Sequence, residues 1–221
     1  MPDGDLLHYT AHHAEPSLTM SPSGSPHTLT AFASVVQRPT PWKDIASQKV
    51  AERRQRLAAH PEWLLKGSVP HSTKDVSTIP ISQLTPREQE IVRLDATALV
   101  DAIRDRRYSA VEVLKAYAHA ASVSQSLTNC LTEVFIEEGL ERAAELDRHL
   151  EETGQVVGPL HGLPFSIKDH IMVKGHDTAT GYTSWAFKTV AQKDAVAVDI
   201  LRRAGAVLYV KTANPQTLLV S

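Results

Sequence analysis

Apolar positions between residues 40 and 155 recur at helical spacing, and polar residues that can cap a helix stand where the periodic stretches begin. Thr40-Pro41 places a hydroxyl before a proline suited to the first helical position, and the basic stretch Trp42–His60 follows as a helix. Thr85-Pro86-Arg87-Glu88 and Ser109-Ala110-Val111-Glu112 both read as capping boxes, in which hydroxyl and carboxylate each satisfy a free amide. The second opens a helix with Val113, Tyr117 and Ala120 or Ala121 on one face, and Asp95 caps a helix that buries Leu99 and Ile103. A further helix runs from about Glu138 to Glu152, with Leu140, Ala143, Ala144, Leu146 and Leu150 inward and Gly154 as its stop.

Beyond residue 151 the apolar runs shorten to strand length, and six of the ten glycines fall there. Phe165-Ser166-Ile167 predicts a short buried strand, Asp194–Ala204 a helix stopped by Gly205, and Ala206–Val210 a second buried strand. Strand, crossover, helix and strand make a parallel unit, and with the apolar run Leu131–Ile136 the pattern is α/β.

Composition sharpens this picture at one end. Residues 1–41 hold six of the thirteen prolines, four of the eleven histidines, three acids and one arginine, with many serines and threonines. Such a segment buries too little apolar surface to offset its conformational entropy, so it is expected to be a disordered leader ahead of one folded part, 42–221. It has neither the basic and apolar regions of a secretory signal nor the arginine content of a transit peptide. The whole chain of 221 residues carries 23 basic and 25 acidic side chains, a net charge of -2, so no bulk positive field recruits nucleic acid or anionic lipid. Its longest apolar run, Ala206–Val210, is far short of the roughly 20 residues that span a bilayer. A lone cysteine, Cys130, allows no internal disulfide and fits a reducing, cytoplasmic setting.

The chemistry-bearing candidate is Lys168. It closes a strand within Gly158-Pro159-Leu160-His161-Gly162-Leu163-Pro164-Phe165-Ser166-Ile167-Lys168-Asp169, at the strand end where α/β folds bind ligands. A lysine held away from water loses its proton more readily and can act as a general base. The same position suits a surface lysine paired with Asp169, and the pattern by itself does not choose. His161, His170 and His176 lack the acidic or cysteine spacing of a metal site, so no metal or other cofactor is expected. Cys130 lies in an apolar run and reads as a buried, inert thiol. The glycines around Lys168 do not have the spacing of a phosphate-binding loop.

The run ending at Lys168-Asp169, then Lys174–Tyr182, Asp194–Thr212 and Asn214–Thr217, resembles the amidase signature family. Asn129–Phe135, Ala143–Leu150 and Thr153-Gly154 are similar to its fungal acetamidase-like branch. The resemblance covers about residues 42–221. It implies a large twisted mixed sheet with helices on both faces, here truncated to a helical N-terminal part and the first strands. It implies hydrolysis of a carbon–nitrogen amide bond in a small-molecule amide, with Lys168 as the base of a lysine–serine–serine mechanism. Both serines of that mechanism belong to Gly-Ser-rich motifs that follow the Asn-Pro-Gln segment in the family, and the sequence ends at Ser221 without them. A fragment carrying only the lysine, inactive alone, is therefore expected. The other reading is a non-catalytic binding or interaction protein derived from an amidase. Leu218 matches an apolar position that lines the acyl cavity in some members, and Asp169 either sets the environment of Lys168 or holds the loop. The family's Thr-Asn-x-Pro-Gln stands here as Thr212-Ala213-Asn214-Pro215-Gln216, with the asparagine displaced by one position. A truncated sheet would leave the Ala206–Val210 strand or its neighbour open, inviting a homodimer or other self-association.

Overall fold

Side-chain caps set the starts of three of the seven α-helices in the computed structural model, which describes residues 41–70 and 72–218. Apart from Pro41 the expected leader lies outside the described residues, and so does the hydroxyl of Thr40. Helix α1 (Trp42–Ala58) starts one residue later than the Thr40-Pro41 pattern predicts, because Pro41 itself occupies the cap and offers no side-chain acceptor. A single turn, α2 (Ile79–Ser82), leads to α3 (Pro86–Val92), whose capping box at Thr85 and Glu88 is complete. Helix α4 (Ala96–Arg104) begins where the Asp95 carboxylate accepts from the Ala98 amide at 2.8 Å.

Helix α5 (Ala110–Thr128) realises only half of its expected box. Ser109 Oγ accepts from Glu112 N at 3.0 Å, but the Glu112 carboxylate is taken by Arg87 at 2.8 Å. The amides of Ala110 and Val111 donate instead to Asp147, at 2.6 and 3.0 Å. That aspartate comes from α6 (Ile136–Thr153), so a neighbouring helix supplies the acceptor that the local sequence does not. Helix α5 also departs from the single predicted face. Leu114 and Ala118 pack with Leu57, Trp63, Ala143, Leu146, Val207 and Tyr209, while Val113 and Ala116 pack with Ile91, Leu99 and Ile103. It is the central helix, buried on two sides, and Tyr117 bridges both clusters. In α6, Ala143, Leu146 and Leu150 face inward as expected, whereas Ala144 is exposed. Gly139 lets α6 lie close on the sheet, since a Cβ there would stand 3.1 Å from the Leu208 carbonyl oxygen and from Tyr209 Cβ.

Three strands form one mixed sheet in the order β1-β3-β2: β1 (Leu131–Val134), β2 (Pro164–Lys168) and β3 (Val207–Thr212). The parallel unit predicted between the last two strands is present, with α7 (Val196–Arg203) in the crossover. The run Leu131–Val134 joins the other side of β3 antiparallel. Strand β3 is therefore central, so of the two strands at which an open edge was expected, Ala206–Val210 or its neighbour, the outer positions among the described residues belong to the neighbours β1 and β2. Strand β2 is less buried than its apolar letters suggest: Ile167 is buried, Phe165 half-buried and Ser166 exposed. A third cluster, Phe135, Ile167, Val173, Val198, Ala206 and Leu208, covers one face of the sheet. Gly205, at φ +94°, turns α7 into β3 against the backbone of His161, where an added Cβ would meet Cα at 2.8 Å. Among the described residues no helix is long and apolar enough to cross a membrane.

Candidate active site

Strand pairing fixes which way each side chain near Lys168 points. Lys168 pairs with Thr212 and Ile167 with Lys211 across the parallel β2–β3 ladder, and successive side chains alternate between faces. Lys168 thus shares a face with Thr212, and Ile167 with Lys211. The Asp169 amide extends the ladder by donating to the Thr212 carbonyl at 2.9 Å. Lys168 stands exposed at the end of its strand, so the described residues do not provide the water-free setting expected of a base. Nor does it pair with Asp169. Alternation turns that carboxylate to the other face, where it is 2% exposed and accepts from Thr132 Oγ1 at 3.0 Å.

The face opposite Lys168 holds a buried charge network that the sequence reading missed. Lys211 is fully buried, and its ammonium donates to the Asp177 carbonyl at 2.5 Å and to Thr178 Oγ1 at 3.2 Å. Burial pushes its pKa down from the ordinary lysine value, against the opposing pull of Asp169, Glu133 and Asp177. Glu133, opposite Lys211 in the β1–β3 register, is also buried and accepts from Lys49 of α1 at 2.7 Å. The same Lys49 ammonium stands 3.1 Å from Asp177 and 4.4 Å from the centre of the Phe187 ring. Asp177 gathers further donors: the Phe187 amide, the Thr178 amide and Thr189 Oγ1. Burial by itself would raise the Asp177 carboxyl, but the hydrogen bonds from the Phe187 amide, Thr189 and Lys49, with the Lys49 charge, outweigh it and hold the group below the usual carboxylate range. Lys49 behaves conversely: burial opposes its charge, and the bonds to Glu133 and Asp177 carry its pKa above the ordinary value. The one available signal was a lysine closing the apolar run Ala206–Val210, whose depth depends on what packs over it.

The remaining candidates are placed as follows. Leu218 ends a short turn, Gln216–Leu218, with φ +64° and 43% exposure. The displaced Asn214 turns its amide onto the carbonyl of its own neighbour, Pro215, at 2.8 Å. Its Oδ1 has no hydrogen-bond partner among the described residues. The histidines serve separate sites. His161 Nδ1 accepts from the Val157 amide at 3.1 Å, and His176 stacks on Phe135 while its Nε2 meets Glu138 at 3.1 Å. Among the described residues no three histidine, cysteine or acidic side chains are grouped to hold a metal ion. Cys130 is half-buried rather than buried.

Comparison with known proteins places this geometry. The family model "Amidase" matches residues 112–221. The chain is 38% identical over 193 residues to the acetamidase of Emericella nidulans, covering 82% of this chain and 33% of that one. It is 39% identical over 180 residues to the acetamidase of Aspergillus oryzae, covering 81% and 32%. Among solved structures, a fatty acid amide hydrolase superposes with a TM-score of 0.69 at 35% identity, over 80% of this chain and 33% of that one. The peptide amidase of Stenotrophomonas maltophilia gives 0.51 at 27%, over 57% and 26%. The chain therefore spans about a third of the length of the curated relatives it matches. From the family match, the shared sequence and the shared mixed α/β fold together, the chain belongs to the amidase signature family, matching the N-terminal portion of its members.

Proposed function

We propose that this chain is the lysine-bearing part of an amidase that hydrolyses a carbon–nitrogen amide bond, with Lys168 as the base. The observation that supports the reading best is the position of Lys168: at the carboxyl end of β2, tied by the Thr212 pairing and the Asp169 amide, and facing outward where ligands bind in α/β sheets. A neutral lysine there would accept the proton of a bridging serine, which in turn would take the proton of a second serine, whose oxygen would then attack the amide carbon. The amine would leave with a returned proton, and water would release the acid from the acyl-enzyme. Burial favours the neutral amine, and the described residues leave Lys168 exposed, so the base requires a cover beyond the described residues. Leu218 would form apolar wall for the acyl group. We read the chain in isolation as inactive, in keeping with its span of a third of its relatives.

Two assays test this. The purified 221-residue chain should hydrolyse neither acetamide, benzamide nor a fatty amide. Turnover that survives repurification and disappears in Lys168→Ala would overturn the claim of inactivity. A chimaera joining this chain to the remainder of a related acetamidase should turn over. In it Lys168→Ala should lower kcat by at least about 10²-fold, and Lys168→Arg should not restore it, because arginine stays charged. Normal turnover in the Lys168→Ala chimaera would remove Lys168 from the mechanism. A folded but inactive chimaera would favour the non-catalytic binding role.

A further inference from the structure

Thr132 stands where the β1–β3 ladder slips by one residue. Leu131 pairs with Thr212 but Glu133 with Lys211, so two residues of β1 advance against one of β3, and Thr132 is the extra residue of a β-bulge. In an unbroken strand Thr132 and Glu133 would point to opposite faces. A bulge re-aims a side chain, and this one sends the Thr132 hydroxyl over the central strand. Its Oγ1 donates to Asp169 Oδ1 at 3.0 Å and stands 3.4 Å from the Lys211 carbonyl oxygen. The bond therefore ties β1 to the residue just past β2, with β3 between them.

The consequence falls on Lys168. Its backbone is held on both sides: the Asp169 amide donates to the Thr212 carbonyl, and the Lys168 carbonyl accepts from the Ile171 amide, both at 2.9 Å. Its side chain is exposed. Asp169 is 2% exposed, and among the described residues its carboxylate accepts one hydrogen bond, from Thr132. A buried carboxylate that loses its donor is costly to keep in place, so without the hydroxyl Asp169 would turn towards water and carry the adjoining backbone with it. A carboxylate beside an amine also favours the charged form of that amine. Locked on the opposite face by Thr132, Asp169 is kept from that pairing.

We propose that Thr132 is a positioning residue for Lys168: through Asp169 it fixes the end of β2 and so the direction in which the lysine is presented. The inference rests on the reading of Lys168 as the base.

Two measurements test it. In the 221-residue chain, Thr132→Val removes the hydroxyl and keeps the side-chain shape. Hydrogen exchange at the Asp169 amide should then quicken about tenfold or more while α5 and α6 keep their protection. In the chimaera with the remainder of a related acetamidase, Thr132→Val should lower kcat by about 10- to 10²-fold with KM changed less than about twofold. Thr132→Ser restores the donor and should return most of kcat. Lys168→Ala in the same chimaera separates this inference from the reading beneath it. If Lys168→Ala abolishes turnover and Thr132→Val leaves kcat unchanged, the positioning role falls alone. If Lys168→Ala leaves turnover intact, the base assignment falls and the positioning role falls with it. Unchanged exchange at Asp169, loss of protection throughout the Thr132→Val chain, or failure of Thr132→Ser to restore kcat would each overturn the proposal as well.

Discussion

Replacing Lys211 with methionine removes the positive charge of the buried network while keeping most of the side-chain volume. The ammonium it deletes is fully buried and donates to the Asp177 carbonyl and Thr178 Oγ1. What remains is three buried carboxylates, Glu133, Asp169 and Asp177, with Lys49 as the neighbouring cation. If only hydrogen bonds were lost, the cost would be about 1–3 kcal/mol. Taking one partner from a buried charge cluster costs about 3–5 kcal/mol, because the opposite charges stay behind without compensation. Methionine returns part of this by sparing the desolvation that pushes the Lys211 pKa down. The expected net destabilisation is about 2–4 kcal/mol, or a fall in Tm of roughly 4–16 °C for a chain of this size. Urea unfolding, followed by far-ultraviolet circular dichroism and by the fluorescence of Trp63, which is 6% exposed, measures it directly. Adding Asp169→Asn should recover some of the loss, since it removes one of the stranded charges, with a coupling of about 0.5–3 kcal/mol. A cost below about 1 kcal/mol, or strictly additive effects in the double variant, would refute the claim that charge balance holds this end of the sheet together.

Three further outcomes follow from particular residues. Gly205→Ala should cost at least about 2 kcal/mol in urea unfolding, because φ +94° strains alanine and the new Cβ would press on the backbone of His161. Thr85→Ala removes the acceptor of a complete capping box and should cost about 1 kcal/mol, a drop in Tm of roughly 2–4 °C. Acid should destabilise the fold in two stages. Burial lowers the His161 pKa, with His149 and Arg142 adding to it and Asp147 opposing, so below about 6.5 the unfolded chain takes the proton first. Stability then declines as pH falls through the lower folded value. Asp177, also held low in the folded chain, contributes stability above about 3.9 that is lost on further acidification. Urea midpoints measured across the acid range should show both stages, and His161→Gln should flatten the first.

Where one short stretch of sequence decides the outcome, the outcome was legible. The caps at Thr85 and Asp95 act within a single turn, and the helices appear where those residues stand. The parallel β2–β3 unit was readable because strand-length apolar runs flanked an amphipathic helix, and the family was readable from the long ordered motif around Lys168. Quantities that depend on which distant segments meet were settled by tertiary packing. The Asp147 carboxylate from α6 completes the start of α5, displacing the expected box partner Glu112 onto Arg87. Pairing of β1 on the far side of β3 makes β3 central and brings Glu133 opposite Lys211, so a lysine that reads as the polar end of a strand becomes the most deeply buried charge in the described residues. Alternation along β2 follows from the sequence, but which face is covered does not. That is why Asp169 turns into the network while Lys168, one residue before it, stands exposed. Burial is a property of both surfaces in contact, and a chain read one residue at a time carries only one of them.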